Sequence, residues 1–197
     1  MITTRQIEKL WVSRSHERLL TEVLSARPEA SLRLSAELVT PASVAALALV
    51  RLDELAQGNA AIAATFVRVI LAAQEADGGW GSPVTTAVCV RALLCGRGHG
   101  ESIDRGIKYL ANLQKPDGIW PLIPIRRAEA DPFVSAFVLF QLGEHLLFQQ
   151  AVRFEDALEW FRRNEANLDV ETARLWRHAS MRCMTPRRPG AMPTAWS

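Results

Sequence analysis

The sequence is poor in the features that usually announce a chemistry. It has three cysteines, Cys89, Cys95 and Cys183. An odd number with no Cys-x-x-Cys spacing argues against a disulfide framework and predicts free thiols in a reducing cytoplasm. Cys89, Cys95 and His99 are the one close Cys/His cluster, and a spacing of six across a helix end fits no closed zinc pattern, so no metal is expected. No apolar run reaches the roughly 18 residues of a membrane span. The first residues lack a basic segment followed by an apolar one, so no signal peptide is expected. A net charge of +2 is too small to point to nucleic acid. There is no Gly-x-x-x-x-Gly-Lys loop, Gly-x-Ser-x-Gly elbow or His-Glu-x-x-His helix, and no cofactor is expected. What remains is 49% apolar and 22% charged residues in a chain of 197, the profile of one soluble globular domain.

One stretch is written twice. Gln74-Glu75-Ala76-Asp77-Gly78-Gly79-Trp80 returns forty residues later as Gln114-Lys115-Pro116-Asp117-Gly118-Ile119-Trp120. Each copy of Gln-x-x-Asp-Gly-x-Trp ends an amphipathic run. A period near forty predicts a repeat protein, in which each unit needs its neighbours to bury its apolar face. Thr40-Pro41, Ser82-Pro83 and Asp131-Pro132 mark the same period independently, with spacings of 42 and 49 residues. Each is a capping residue followed by proline at the first helical position, where the missing N–H has no intrahelical partner to lose.

The two motif copies, each followed by proline and an apolar helix, resemble the QW repeats of squalene/hopene cyclases and the related protein prenyltransferases. The resemblance covers roughly residues 20 to 180. It implies an all-α fold of the α/α toroid kind, with inner helices around a cavity and outer helices wrapped around them. It also implies that Gln74, Asp77, Gly78 and Trp80, with Gln114, Asp117, Gly118 and Trp120, serve the scaffold and not catalysis. A closed toroid in this family needs more hairpins than this chain supplies. The expected architecture is therefore a partial toroid of about 3.5 repeats and seven or eight helices, spanning residues 1–183, with a flexible tail over 184–197.

Taken in order, residues 3 to 26 read as a helix with charges suited to capping the array, and residues 29 to 39 as a degraded first copy of the motif turn. Pro41 opens an apolar inner helix to about Ala56, and Ala60 to Ala73 an outer one. Pro83 to Leu94 repeats the inner helix, with Arg91 its single charge. Ser102 or Asp104 starts the second outer helix after a glycine-rich link. Pro132 to Leu142 is the third inner helix, closed by Gly143. Phe154 to Asn164 is an outer helix, and Asp169 caps a fourth inner helix to about Met181.

Class II terpene cyclases protonate an alkene with an acid from Asp-x-Asp-Asp, held protonated by burial and hydrogen-bonded neighbours. That motif is absent. Asp169-Val170-Glu171-Thr172-Ala173 is the nearest string, and Asp131 stands at the head of the most aromatic helix. Asp131, Asp169 and Glu171 are therefore the candidate acids, each equally explained as a cap or first-turn residue. Phe133, Phe137 and Phe140 are candidate ligand-binding residues, because aromatic faces take flat apolar ligands and stabilise carbocations; core packing explains the same spacing. Arg126-Arg127 and Arg187-Arg188 fit a phosphate or a solvated surface.

The reading these features favour is a non-catalytic repeat protein that binds an apolar, isoprenoid-like ligand or a protein partner. The alternative is one component of a split or degenerate class II terpene cyclase. Leu168, Val170, Leu175, Trp176 and Met181 leave the C-terminal end apolar, which predicts a homodimer or partner protein engaged through residues 150 to 185.

Overall fold

The computed structural model describes residues 38–54, 60–96, 98–125 and 127–184, all within the unit Glu37–Ser197. The helix expected over residues 3–26, most of the degraded copy after it, and the tail from 185 lie outside them. Eight α-helices and no strand occur among the described residues: α1 (Pro41–Glu54), α2 (Ala60–Ala72), α3 (Pro83–Cys95), α4 (Gly100–Leu113), α5 (Pro132–Leu142), α6 (Leu146–Ala151), α7 (Phe154–Asn164) and α8 (Val170–Met184).

Four of these helices begin in one way. Thr40 Oγ1 accepts the Ser43 N–H at 3.2 Å, and Ser82 Oγ accepts the Thr85 N–H at 3.2 Å. Asp131 Oδ1 accepts the N–H groups of Phe133 and Val134 at 2.9 and 3.0 Å. Asp169 Oδ1 accepts those of Glu171 and Thr172 at 3.0 and 3.1 Å. Each side chain satisfies donors that the first turn leaves without a carbonyl. The capped helices α1, α3, α5 and α8 form a row, α1 against α3, α3 against α5 and α5 against α8. Helices α2 and α4 pack beside α1 and α3 respectively.

Helix α3 lies between α1 and α5 and also carries α4, so it has no side left for water. Every residue from Pro83 to Leu93 is buried, which explains why its sequence is apolar all round. Helix α4, with one covered side, alternates instead: Ile103, Ile107, Tyr109 and Leu110 are buried while Glu101, Asp104 and Lys108 are exposed.

Two features depart from the sequence reading. Helix α4 begins at Gly100, not at Ser102 or Asp104, and its cap residue His99 gives no side-chain hydrogen bond. Of the link glycines only Gly98 has a positive φ, +87°, so Gly100 is available for the first helical turn. Helix α6 was not expected. At six residues it is too short to show a period, and it is held by Phe148, which is fully buried and stacked on Trp120 with ring centroids 6.0 Å apart.

Candidate functional site

The glutamine and tryptophan of the duplicated turn donate to equivalent partners in both copies. Gln74 Nε2 donates to Gly78 O and to Ser102 O, both at 2.9 Å. Gln114 Nε2 donates to Gly118 O at 2.7 Å and to Arg153 O at 3.1 Å, while its Oε1 accepts the Arg153 N–H at 2.7 Å. Ser102 is in the first turn of α4, and Arg153 caps α7. Each glutamine therefore joins the end of one flanking helix to the start of the next. Trp80 Nε1 donates to Ile70 O at 2.7 Å and Trp120 Nε1 to Leu110 O at 2.8 Å. The Trp80 N–H donates to Thr86 Oγ1 at 3.0 Å, the Trp120 N–H to Ser135 Oγ at 2.8 Å. Those hydroxyls belong to the first turns of α3 and α5, so each tryptophan fixes a flanking helix to a row helix.

Gly78 and Gly118 have φ of +92° and +89°, a region costly for any residue with a Cβ. A Cβ on Gly118 would also run into the backbone of Ala157. Asp77 Oδ1 accepts the Gly79 N–H at 2.9 Å, closing the turn locally. Asp117 holds the matching position and is exposed.

The candidate acids differ in their surroundings. Asp131 is half-buried and its Oδ1 is committed to the α5 cap. Asp169 is exposed and uses both oxygens, Oδ2 accepting from the Thr172 hydroxyl at 2.7 Å. Glu171 is half-buried, and its Oε1 is shielded from water with no hydrogen-bond partner among the described residues.

Phe133, Phe137 and Phe140 form one stripe on α5, each half-buried. The packed face of the helix is made by Val134, Val138, Leu139 and Leu142. The stripe is thus neither core nor fully solvated. Its last ring lies under the Arg182 guanidinium, 4.1 Å from the ring centroid, and Arg182 Nη1 also donates to Phe140 O at 2.9 Å. The cation rests on the negative face of the ring while its hydrogen bond ties α8 to α5.

A buried polar cluster went unrecognised in the sequence. Arg91 is 3% exposed. Its Nη1 stands 3.0 Å from Glu144 Oε1 and 2.8 Å from His145 Nε2. A guanidinium only donates, so the network assigns the imidazole lone pair to Nε2 and its proton to Nδ1. The cluster fastens the middle of the row to the α5–α6 turn. The signal was present: Arg91 is the one charge in α3, and a lone charge on a buried helix must find a partner. Cys183 borders this cluster near Gly143. Burial, with a smaller contribution from Glu144, pushes its thiol up to about 12, and burial raises that of Cys89 as well. Neither thiol supplies a thiolate at neutral pH.

Among the described residues no group of three or more His, Cys, Asp or Glu side chains converges to hold a metal ion, and no helix is long and apolar enough to cross a membrane. Comparison with family models, with curated proteins and with solved structures finds no match for this chain.

Proposed function

We propose that the chain is a non-catalytic repeat protein of the squalene-cyclase and prenyltransferase kind, a partial α/α toroid whose row of helices offers apolar surface to an isoprenoid-like ligand or a protein partner. The observation that carries this reading is the division of labour among the motif residues. Gln74, Trp80, Gln114 and Trp120 all direct N–H donors to backbone and hydroxyl groups of adjoining helices. The Phe133–Phe137–Phe140 stripe, by contrast, keeps part of its aromatic surface accessible. The test is native mass spectrometry of protein purified from its own source, followed by titration of the purified chain with a fluorescent farnesyl alcohol. Wild type is expected to bind it and Phe137→Ser to lose binding while circular dichroism shows the variant still folded. Equal binding by both would remove the stripe as the site.

One observation favours the second reading, a component of a split or degenerate class II terpene cyclase. Glu171 stands in the string nearest the cyclase acid motif, and its Oε1 is shielded from water with no hydrogen-bond partner among the described residues. Incubation with squalene and with geranylgeranyl diphosphate separates the two. The first reading expects no cyclised product. Product that vanishes in Glu171→Gln, Asp169→Asn or Asp131→Asn would establish the second.

A further inference from the structure

The aromatic stripe of α5 runs between opposite charges. Phe133, Phe137 and Phe140 follow at spacings of four and three residues, so their half-buried rings lie along one side of the helix over about 10 Å. At the far end the Arg182 guanidinium rests on the Phe140 ring, 4.1 Å from its centroid, and Nη1 donates to Phe140 O at 2.9 Å. Two anchors on one residue fix a cation at that end of the stripe. The near end is acidic. Asp131 Oδ1 accepts the N–H groups of Phe133 and Val134, so its carboxylate already occupies donors at which a helix start would otherwise hold an anion.

We infer that the stripe binds an amphiphilic monocarboxylic acid, with its carboxylate beside Arg182 and its apolar chain lying along Phe137 and Phe133. Charge sets the direction: an anionic head is attracted to the guanidinium end and repelled from the Asp131 end. Shape sets the head group. The ring takes one face of the guanidinium, whereas the N–H groups point outward in its plane, the fork that a carboxylate matches with its two oxygens. A single guanidinium balances a single negative charge, which fits a carboxylate better than a multiply charged diphosphate. The phenylalanine rings bury the chain as they would any apolar surface. This inference rests on the ligand half of the function proposed above and names the head group of that ligand.

The test is isothermal titration calorimetry of the full chain with farnesoic acid, its methyl ester and farnesyl alcohol, which share a chain and differ at the head. At neutral pH the acid is expected to bind about tenfold or more tightly than either neutral compound, with the margin shrinking as salt is raised. Arg182→Met keeps an unbranched side chain over the ring and drops the charge; it is expected to bring the acid down to the level of the ester. Arg182→Lys is expected to keep most of the preference. Circular dichroism checks that both variants are folded, and the comparison of acid with ester on the wild type needs neither. Equal binding of acid and ester, binding of the neutral compounds alone, or a preference for the acid that survives in folded Arg182→Met overturns this inference and leaves the ligand reading standing. Acid binding that survives in Phe137→Ser overturns it too, by placing the acid away from the stripe. Binding of none of the three overturns both.

Discussion

Gln114→Glu replaces an amide by a carboxylate of the same shape, so it separates hydrogen bonding from packing at the turn. Glutamate keeps the accepted bond from the Arg153 N–H at 2.7 Å. It loses both donated bonds, to Gly118 O at 2.7 Å and to Arg153 O at 3.1 Å, and sets a negative oxygen against two carbonyl oxygens. At about 1 kcal/mol net for each lost bond and a similar amount for the unsatisfied carbonyls and repulsion, the substitution is expected to cost about 2 to 3 kcal/mol. In a domain of this size that is a fall of roughly 5 to 10 °C in Tm. Gln114→Ala is expected to cost no more, although it removes more atoms, because it brings no charge. Urea unfolding followed by circular dichroism is the assay, with an unchanged m-value required for a clean comparison. The third turn provides the control. Asn164 stands where the glutamine would, and its Nδ2 donates to Trp160 O within its own helix at 2.8 Å. Asn164→Ala is therefore expected to cost under about 1 kcal/mol. A Gln114→Glu protein as stable as wild type would refute the clamp and leave the glutamine as space-filling.

Three further outcomes are expected. Gly118→Ala combines a φ of +89° with a collision against Ala157 backbone, whereas at Gly81 the φ is +83° and the nearest atom to a new Cβ is Glu75 Oε1 at 3.7 Å; thermal melts should show Gly81→Ala losing about 1 kcal/mol and Gly118→Ala clearly more. Arg91→Met should cost about 3 to 5 kcal/mol by taking the guanidinium from beside the buried Glu144 carboxylate, and Arg91→Met with Glu144→Gln should recover part of it, which denaturant titration of the single and double variants measures. Because folding holds Cys183 up to about 12 while an unfolded thiol ionises near ~8.5, the unfolded state binds fewer protons between those values and stability falls as pH rises through them. Replacing Cys183 with alanine should flatten that fall by up to about 1.4 kcal/mol per pH unit, and an unaltered slope would mean the thiol is not held neutral.

The repeat was legible because its marks are local. Ser82-Pro83 and Asp131-Pro132 place helix starts by cap chemistry that needs no knowledge of the rest of the chain, and both starts stand where the sequence put them. The turn glycines were legible for the same reason, since a positive φ is a backbone demand written at one position. What escaped depends on pairs far apart in sequence. Nothing local to Glu144 and His145 shows that Arg91, more than fifty positions earlier, needs them. Helix α6 has the same origin: its six residues are held by the stacking of Phe148 on Trp120, a contact that periodicity cannot see. The partial exposure of Phe133, Phe137 and Phe140 was equally hidden, because spacing assigns residues to a common face without saying what covers it.

The two clamps span different lengths of chain. Gln74 reaches Ser102, 28 residues on, and Gln114 reaches Arg153, 39 residues on. The longer span contains the loop after Trp120, which leaves and returns at one point: Pro121 and Ala130 form an antiparallel bridge and the Asp131 N–H donates to Trp120 O at 2.8 Å. A loop closed at its base adds length without moving the helices it joins, so the glutamine finds its target in both repeats. At the third turn the loop is short and the side chain fails instead. Asn164 is one methylene shorter than glutamine and turns back to Trp160, and Leu168, at the place of the turn glycine, has φ of −72°. The turn that would anchor a further flanking helix is thus missing both of its working parts. Helix α8 still docks, through Trp176 on Phe161 and the Arg182 bond to Phe140 O.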